Sequence, residues 1–186
     1  GRPYVSEDFS TWLGVRYEAG RDDSDNAALG GLGDMDVGAV AFGGVAYEFG
    51  PLEAGLELAG DMTGDRDGVT VTAELDYGLP VFAGRGRLSL SPNLTWANGN
   101  YMQNSFGITA AQSAASTRGL AAFDAGSGFK DAGLDLGLGY QLSEHVTAIG
   151  RVGYTRLLSD AADSPLVKTE GSANQFNAGF GITYRW

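Results

Sequence analysis

Closely spaced carboxylates are the residues of this chain best placed to do chemistry. Glu53 and Glu57, and Glu74 and Asp76, recur at even spacing. On an extended strand such positions share one face, with residues two apart separated by about 7 Å. Paired carboxylates can act as general acid and base, as in glycoside hydrolysis. The same spacing arises wherever charges line a strand, so a salt-bridge lining with arginines is the favoured reading. The single histidine, His145, lies beside an expected turn and reads as solvated, and no Ser–His–Asp set can be built around it. The chain has no cysteine, which excludes thiol catalysis, disulfides and zinc–thiolate sites. Asp22-Asp23-Ser24-Asp25-Asn26 and Asp65-Arg66-Asp67-Gly68 resemble calcium loops, but neither completes the D-x-[DN]-x-[DN]-G spacing. Solvated acidic loops are expected there. Asn93-Leu94-Thr95 matches a glycosylation sequon within an expected strand and is discounted. No catalytic residue, cofactor or metal ligand is expected, and the chain reads as a non-enzyme.

The elements that carry these residues have a strong period of two. In Gln175–Trp186 every even position is apolar or aromatic: Phe176, Ala178, Phe180, Ile182, Tyr184 and Trp186. Every odd position is polar or glycine. Such a strand has one apolar and one wet face. An aromatic at the end of an apolar face fits the interfacial girdle of an outer-membrane barrel.

Seven earlier segments share the pattern: Ser10–Ala19, Met35–Phe49, Leu52–Met62, Val69–Leu79, Arg87–Ala97, Ala132–Leu142 and His145–Leu157. All exceed the usual five or six residues of soluble strands. They suit the nine to eleven or so that a tilted bilayer crossing needs. The expected fold is an all-β antiparallel transmembrane barrel, with eight strands visible, in a single domain over residues 1–186. If the last strand ends in the periplasm, the connections Phe49–Pro51, Leu79–Gly86 and Ser143–Glu144 are periplasmic and short. Residues 20–34, 63–68, 99–131 and 158–172 are then extracellular, and three of these four are net acidic. Short turns at one end and long loops at the other is the barrel pattern.

Composition agrees. Mean hydropathy is near zero, and no stretch approaches the roughly 18 apolar residues of a membrane helix. A net charge of −11 argues against nucleic acid, which requires a basic surface. Gly1-Arg2-Pro3-Tyr4 lacks the basic and apolar runs of a signal peptide, as expected of a processed or truncated form.

The wet face carries Arg16, Arg87, Arg151 and Arg185 with Glu53, Glu57, Glu74, Asp76 and Asp135. Buried charges need partners, so an Arg–carboxylate network is expected to fill the lumen, with glycines making room. The segment Gly99–Asp131 is the leading functional candidate, because long loops are commonly functional. Its candidate residues are Tyr101, Met102, Phe106, Phe123, Asp124, Phe129, Lys130 and Asp131. Two roles are open: a plug folded into the barrel, or a surface that meets a partner or ligand. Ala110–Ser116 suits a short helix.

Several ordered blocks are similar to the MltA-interacting protein (MipA/OmpV) family of outer-membrane proteins. They are Tyr101–Thr109, Ala111–Ser116 and Phe123–Asp131, then Arg21–Asp25 with Leu32–Asp36, then Tyr154–Pro165 and the aromatic terminus. The resemblance implies residence in a bacterial outer membrane, in contact with lipid and lipopolysaccharide. It implies a scaffold that brings a murein hydrolase together with a murein synthase. Family members usually carry additional strands before the point where Gly1 begins, so the resemblance implies either the C-terminal portion of a ten- to twelve-stranded barrel or a naturally shorter member. A small-solute channel and a surface adhesin are the alternatives.

Overall fold

The computed structural model describes residues 4–5, 8–18, 30–33, 37–63 and 67–186. The fold is an all-antiparallel sheet curled into a half-barrel. Its strands are β1 (Tyr4–Val5), β2 (Phe9–Glu18), β3 (Gly38–Phe49), β4 (Leu52–Asp61), β5 (Val69–Val81), β6 (Gly86–Ala97), β7 (Gly128–Gln141), β8 (Val146–Leu157) and β9 (Asn174–Tyr184). Each strand pairs with its neighbours in sequence. The eight long strands are the eight expected from the period-two pattern, and β1 adds a two-residue ninth. Among the described residues β9 pairs only with β8.

The alternation sorts the two faces. The outer face is apolar and exposed, from Leu13 (69%) on β2 to Phe180 (77%) on β9. A water-soluble monomer rarely shows so extended an apolar surface. Aromatics border the band at both ends. Tyr17, Trp96, Phe129, Tyr154 and Phe176 lie toward the long loops, and Tyr47, Phe49, Tyr77 and Tyr184 toward the short turns. Phe176 and Tyr184 are eight residues apart on β9, about 27 Å along the strand at 3.4 Å per residue. At the usual tilt of about 40° this approaches the roughly 25 Å height of an apolar band. Among the described residues no helix is long and apolar enough to cross a membrane.

The short turns lie at residues 50–51, 82–85 and 142–145. The middle one is tighter than expected. β5 runs on to Val81, and Phe82 and Ala83 then adopt left-handed conformations (φ 54° and 53°). The long connections are not irregular loops. They contain α1 (Gly99–Phe106), α2 (Ala110–Ala115), α3 (Ser159–Asp163) and α4 (Pro165–Glu170). Most of the fully buried apolar side chains lie at this end, including Met102 and Ile108, so the hydrophobic core caps the sheet instead of underlying it.

One boundary moved for a clear reason. β7 starts at Gly128, not Ala132, so Phe129, Lys130 and Asp131 belong to a strand and not to the loop. The register shifts here: Trp96 faces Phe129, while Thr95 faces Asp131. Lys130 is the extra residue of a β-bulge, and a bulge reverses the alternation. Phe129 therefore points outward and Asp131 inward, although both are odd-numbered.

Candidate functional site

The concave face gathers the charged residues into separate pairs. On β4, Glu57 accepts from Trp12 Nε1 at 3.0 Å and from Arg16 Nη1 at 3.4 Å. The Arg16 guanidinium also lies 5.5 Å from the centroid of the Phe42 ring. On β5, Asp76 accepts from Arg87 Nη2 at 3.2 Å and Ser91 Oγ at 2.6 Å. On β7, Asp135 accepts from Arg151 through Nε at 3.0 Å and Nη2 at 2.9 Å, and from Asn93 Nδ2 at 3.3 Å. The arginines of these pairs are about half exposed, so each pair contributes at most about 1 kcal/mol. Their value is positional: each carboxylate is held by a neighbouring strand.

Glycines make this lining possible. A Cβ at Gly44 would collide with the Trp12 indole, and one at Gly78 with the Arg87 guanidinium. The largest inward side chains thus lie over residues that have none.

Glu53 and Glu74 join Glu57, Asp76 and Trp12 around a recess of about 170 Å³. Glu74 makes no hydrogen bond or ion pair among the described residues, whereas Glu53 has a partner. Arg185, at the far end of β9, is not brought to any of these carboxylates. Among the described residues no three His, Cys, Asp or Glu side chains are arranged to hold a metal ion. The acidic run Asp22–Asn26 and residues 64–66 lie outside the described residues.

The cap is assembled from three connections. Asn98 starts α1: its Oδ1 accepts from Tyr101 N at 2.9 Å and from Val69 N at 3.0 Å, tying the helix to the start of β5. Thr109 and Gln112 form a capping box on α2, and Gln112 Nε2 donates to Leu32 O at 2.6 Å. Ile108 and Phe123 exchange two backbone hydrogen bonds of 2.8 Å. Gln103 Oε1 accepts from Ala125 N at 2.8 Å. The connection after β8 locks in through Ser164 Oγ, which donates to Phe106 O at 2.7 Å, and Asp160 Oδ2, which accepts from Gly126 N at 2.8 Å. Arg118 Nε donates to Glu170 Oε1 at 2.6 Å. That carboxylate holds the Arg118 guanidinium above its usual range.

The loop candidates divide accordingly. Met102 is fully buried, packed with Ala97, Leu157 and Ala161. Phe106 packs against the same cluster, and Phe123 bridges it to a second one built from Leu32, Ile108 and Leu120. Tyr101 faces the lumen side and lines a small recess of about 60 Å³ with Arg16 and Asp61. Lys130 Nζ lies 5.7 Å from the Tyr101 ring centroid and pairs with the buried Asp131. Asp124 is exposed. Phe129 is half exposed on the outer face. Sequence reasoning missed Gln112 and Ser164, which join separate connections, and Gln103, which ties α1 to Ala125 within one of them. Asn98 ahead of α1, a favoured N-cap, and the Thr109-x-x-Gln112 capping box of α2 were the local signals of this order.

A family model described as MltA-interacting protein MipA matches residues 2–186. The chain belongs to this family. No curated protein matches the sequence. In this MipA-family chain, Tyr101–Thr109 and Phe123–Asp131 are thus the blocks that build the cap and seat it on the sheet.

Proposed function

We propose that this chain is an outer-membrane barrel protein that works without catalysis, as a scaffold for murein-remodelling enzymes on the periplasmic side. The apolar outer face and its two aromatic borders support the membrane placement. The family description, an MltA-interacting protein, supports a murein-related enzyme as partner. The observation that carries the reading is the cap. Three connections at the long-loop end are locked together over the concave face, while the short-turn end opens into a recess of about 830 Å³. A body closed on one side and open on the other is suited to presenting a surface, not to passing solutes. In the charged lining Glu57, Asp76 and Asp135 are each held by an arginine of a neighbouring strand.

The test is co-purification from mildly solubilised envelopes, using the full chain as bait and probing for murein hydrolase and synthase activity. Retention of either activity is expected. A bait that retains neither, while migrating as a folded, heat-modifiable barrel, refutes the scaffold. Planar-bilayer recordings provide the complementary check, with no steady conductance expected from the capped protein.

A further inference from the structure

The short-turn mouth reverses the charge of the molecule. The chain carries −11 overall, yet this recess of about 830 Å³ is lined by Arg85, Arg87 and Arg185 against one carboxylate, Glu144. The three arginines come from different elements and are fixed in different ways. Arg85 Nη2 donates to Gln141 O at 3.0 Å and Leu142 O at 3.3 Å, and its guanidinium lies 5.4 Å from the Tyr140 ring centroid. Arg87 is oriented by Asp76 through Nη2, and its side chain is 63% exposed. Arg185 is held by its backbone: its N–H donates to His145 O at 2.9 Å. Its carbonyl lies 2.9 Å from His145 Nδ1. A carbonyl only accepts, so Nδ1 carries the proton. These bonds clamp the β7–β8 turn to the end of β9, leaving the Arg185 guanidinium without a polar partner among the described residues. The wall is open at Gly84 and Gly139, where a Cβ would touch nothing within 4 Å.

We propose that this mouth is an oxyanion-binding site, taking a carboxylate or phosphate group presented from the short-turn side. Guanidinium groups bind such groups through paired, charge-assisted hydrogen bonds. Here Arg85, Arg87 and Arg185 line one recess, and Glu144 is the one acidic side chain among its lining residues. The oxyanion can come from a soluble periplasmic molecule or from a lipid headgroup at the rim. The site stands on this geometry alone and does not depend on the chain binding a murein enzyme.

The experiment uses the full chain in nanodiscs, where both faces are accessible. Inorganic tripolyphosphate is titrated by calorimetry into discs of phosphatidylcholine, and separately into discs that also contain phosphatidylglycerol. The wild type binds in the phosphatidylcholine discs. Arg185→Gln weakens binding about tenfold, the loss expected for one hydrogen-bonded charge. Arg185→Lys retains part of the affinity, Glu144→Gln tightens it, and Arg118→Gln in the cap leaves it unchanged. Loss of tripolyphosphate binding only in the phosphatidylglycerol discs assigns the site to a headgroup; equal binding in both assigns it to a soluble anion. Two results overturn the proposal: no binding in either disc, or binding that neither Arg185→Gln nor Glu144→Gln alters. Heat-modifiable migration confirms that each variant is folded, and Glu144→Gln, on an exposed turn, provides a readout if Arg185→Gln does not fold.

Discussion

Replacing Leu136 with arginine separates a lipid-facing sheet from a water-facing one. Leu136 lies mid-way along β7, 43% exposed on the outer face. Its cross-strand neighbours are Leu90 on β6 and Val152 on β8, both apolar and exposed. On a water-facing surface the substitution would change stability by no more than about 0.5 kcal/mol. In the hydrocarbon band, a guanidinium near the midplane of a barrel costs about 2–4 kcal/mol, falling to about 0–1 near the interface. The aromatic borders set the depth. Leu136 is four residues from Tyr140 and seven from Phe129, about 14 and 24 Å along the strand, so it is clear of both. Tyr140→Arg, close to the short turns on the same strand, is the comparison, and because Tyr140 also packs against Phe82 and Arg85 it is read beside Tyr140→Leu, which loses the same contacts without adding a charge. The assay is urea-dependent folding into phosphatidylcholine vesicles, followed by tryptophan fluorescence and the heat-shifted gel band. Leu136→Arg is expected to lose about 2–4 kcal/mol and Tyr140→Arg at most about 1 beyond Tyr140→Leu. Equal costs at the two sites, or a Leu136→Arg variant within about 0.5 kcal/mol of wild type, would sink the membrane placement.

Three further outcomes follow from the interior. Met102→Ala removes a fully buried side chain from the cap and should cost about 2–5 kcal/mol, seen as faster proteolysis within residues 99–127 while the strands stay protected. Gly44→Ala places a methyl against the Trp12 ring and the Leu56 carbonyl; overpacking of about 1–3 kcal/mol and a shifted indole emission are expected. A double-mutant cycle on Arg151→Met and Asp135→Asn should give a coupling of at most about 1 kcal/mol that shrinks with added salt, since the Arg151 side chain is 57% exposed.

The sheet was legible in the sequence because every strand has one solvent-like and one apolar side, and that contrast repeats every second residue. Leu134, Leu136 and Leu138 against Asp135 and Gly137 leave no other reading. Parity then assigned the ends of the molecule, since an even number of crossings puts both termini of the set on one side. Of the cap, only α2 was legible, as the short helix expected over Ala110–Ser116. Its helices have five to eight residues, too short for an apolar stripe to recur and too short to form alone. They are held because Gln112, Asp160 and Ser164 bond across connections far apart in sequence, and no local pattern records such partners. The bulge at Lys130 hid a strand start by reversing the alternation. The lumen residues could be placed on one face, but not paired. Which carboxylate takes which arginine depends on cross-strand register, and Arg185 found none because its strand ends beyond the reach of Asp135.

The edge of β9 sharpens the membrane placement. In hydrocarbon each unpaired N–H or C=O costs several kcal/mol. β9 spans eleven residues, and an antiparallel strand aims about half of its backbone groups to each side, so an open edge would be prohibitive. If the sheet spans a bilayer, β9 must therefore take a second partner strand. That partner is not the start of β2, because β1 already covers Ser10 and Thr11 there. Amide hydrogen exchange in vesicles tests this directly. Residues 176–182 should exchange as slowly as the core of β7, which has neighbours on both sides. If alternate amides along β9 exchange at the rate of the exposed turn at residues 142–145, the edge is open, and the sheet cannot be spanning the membrane in this form.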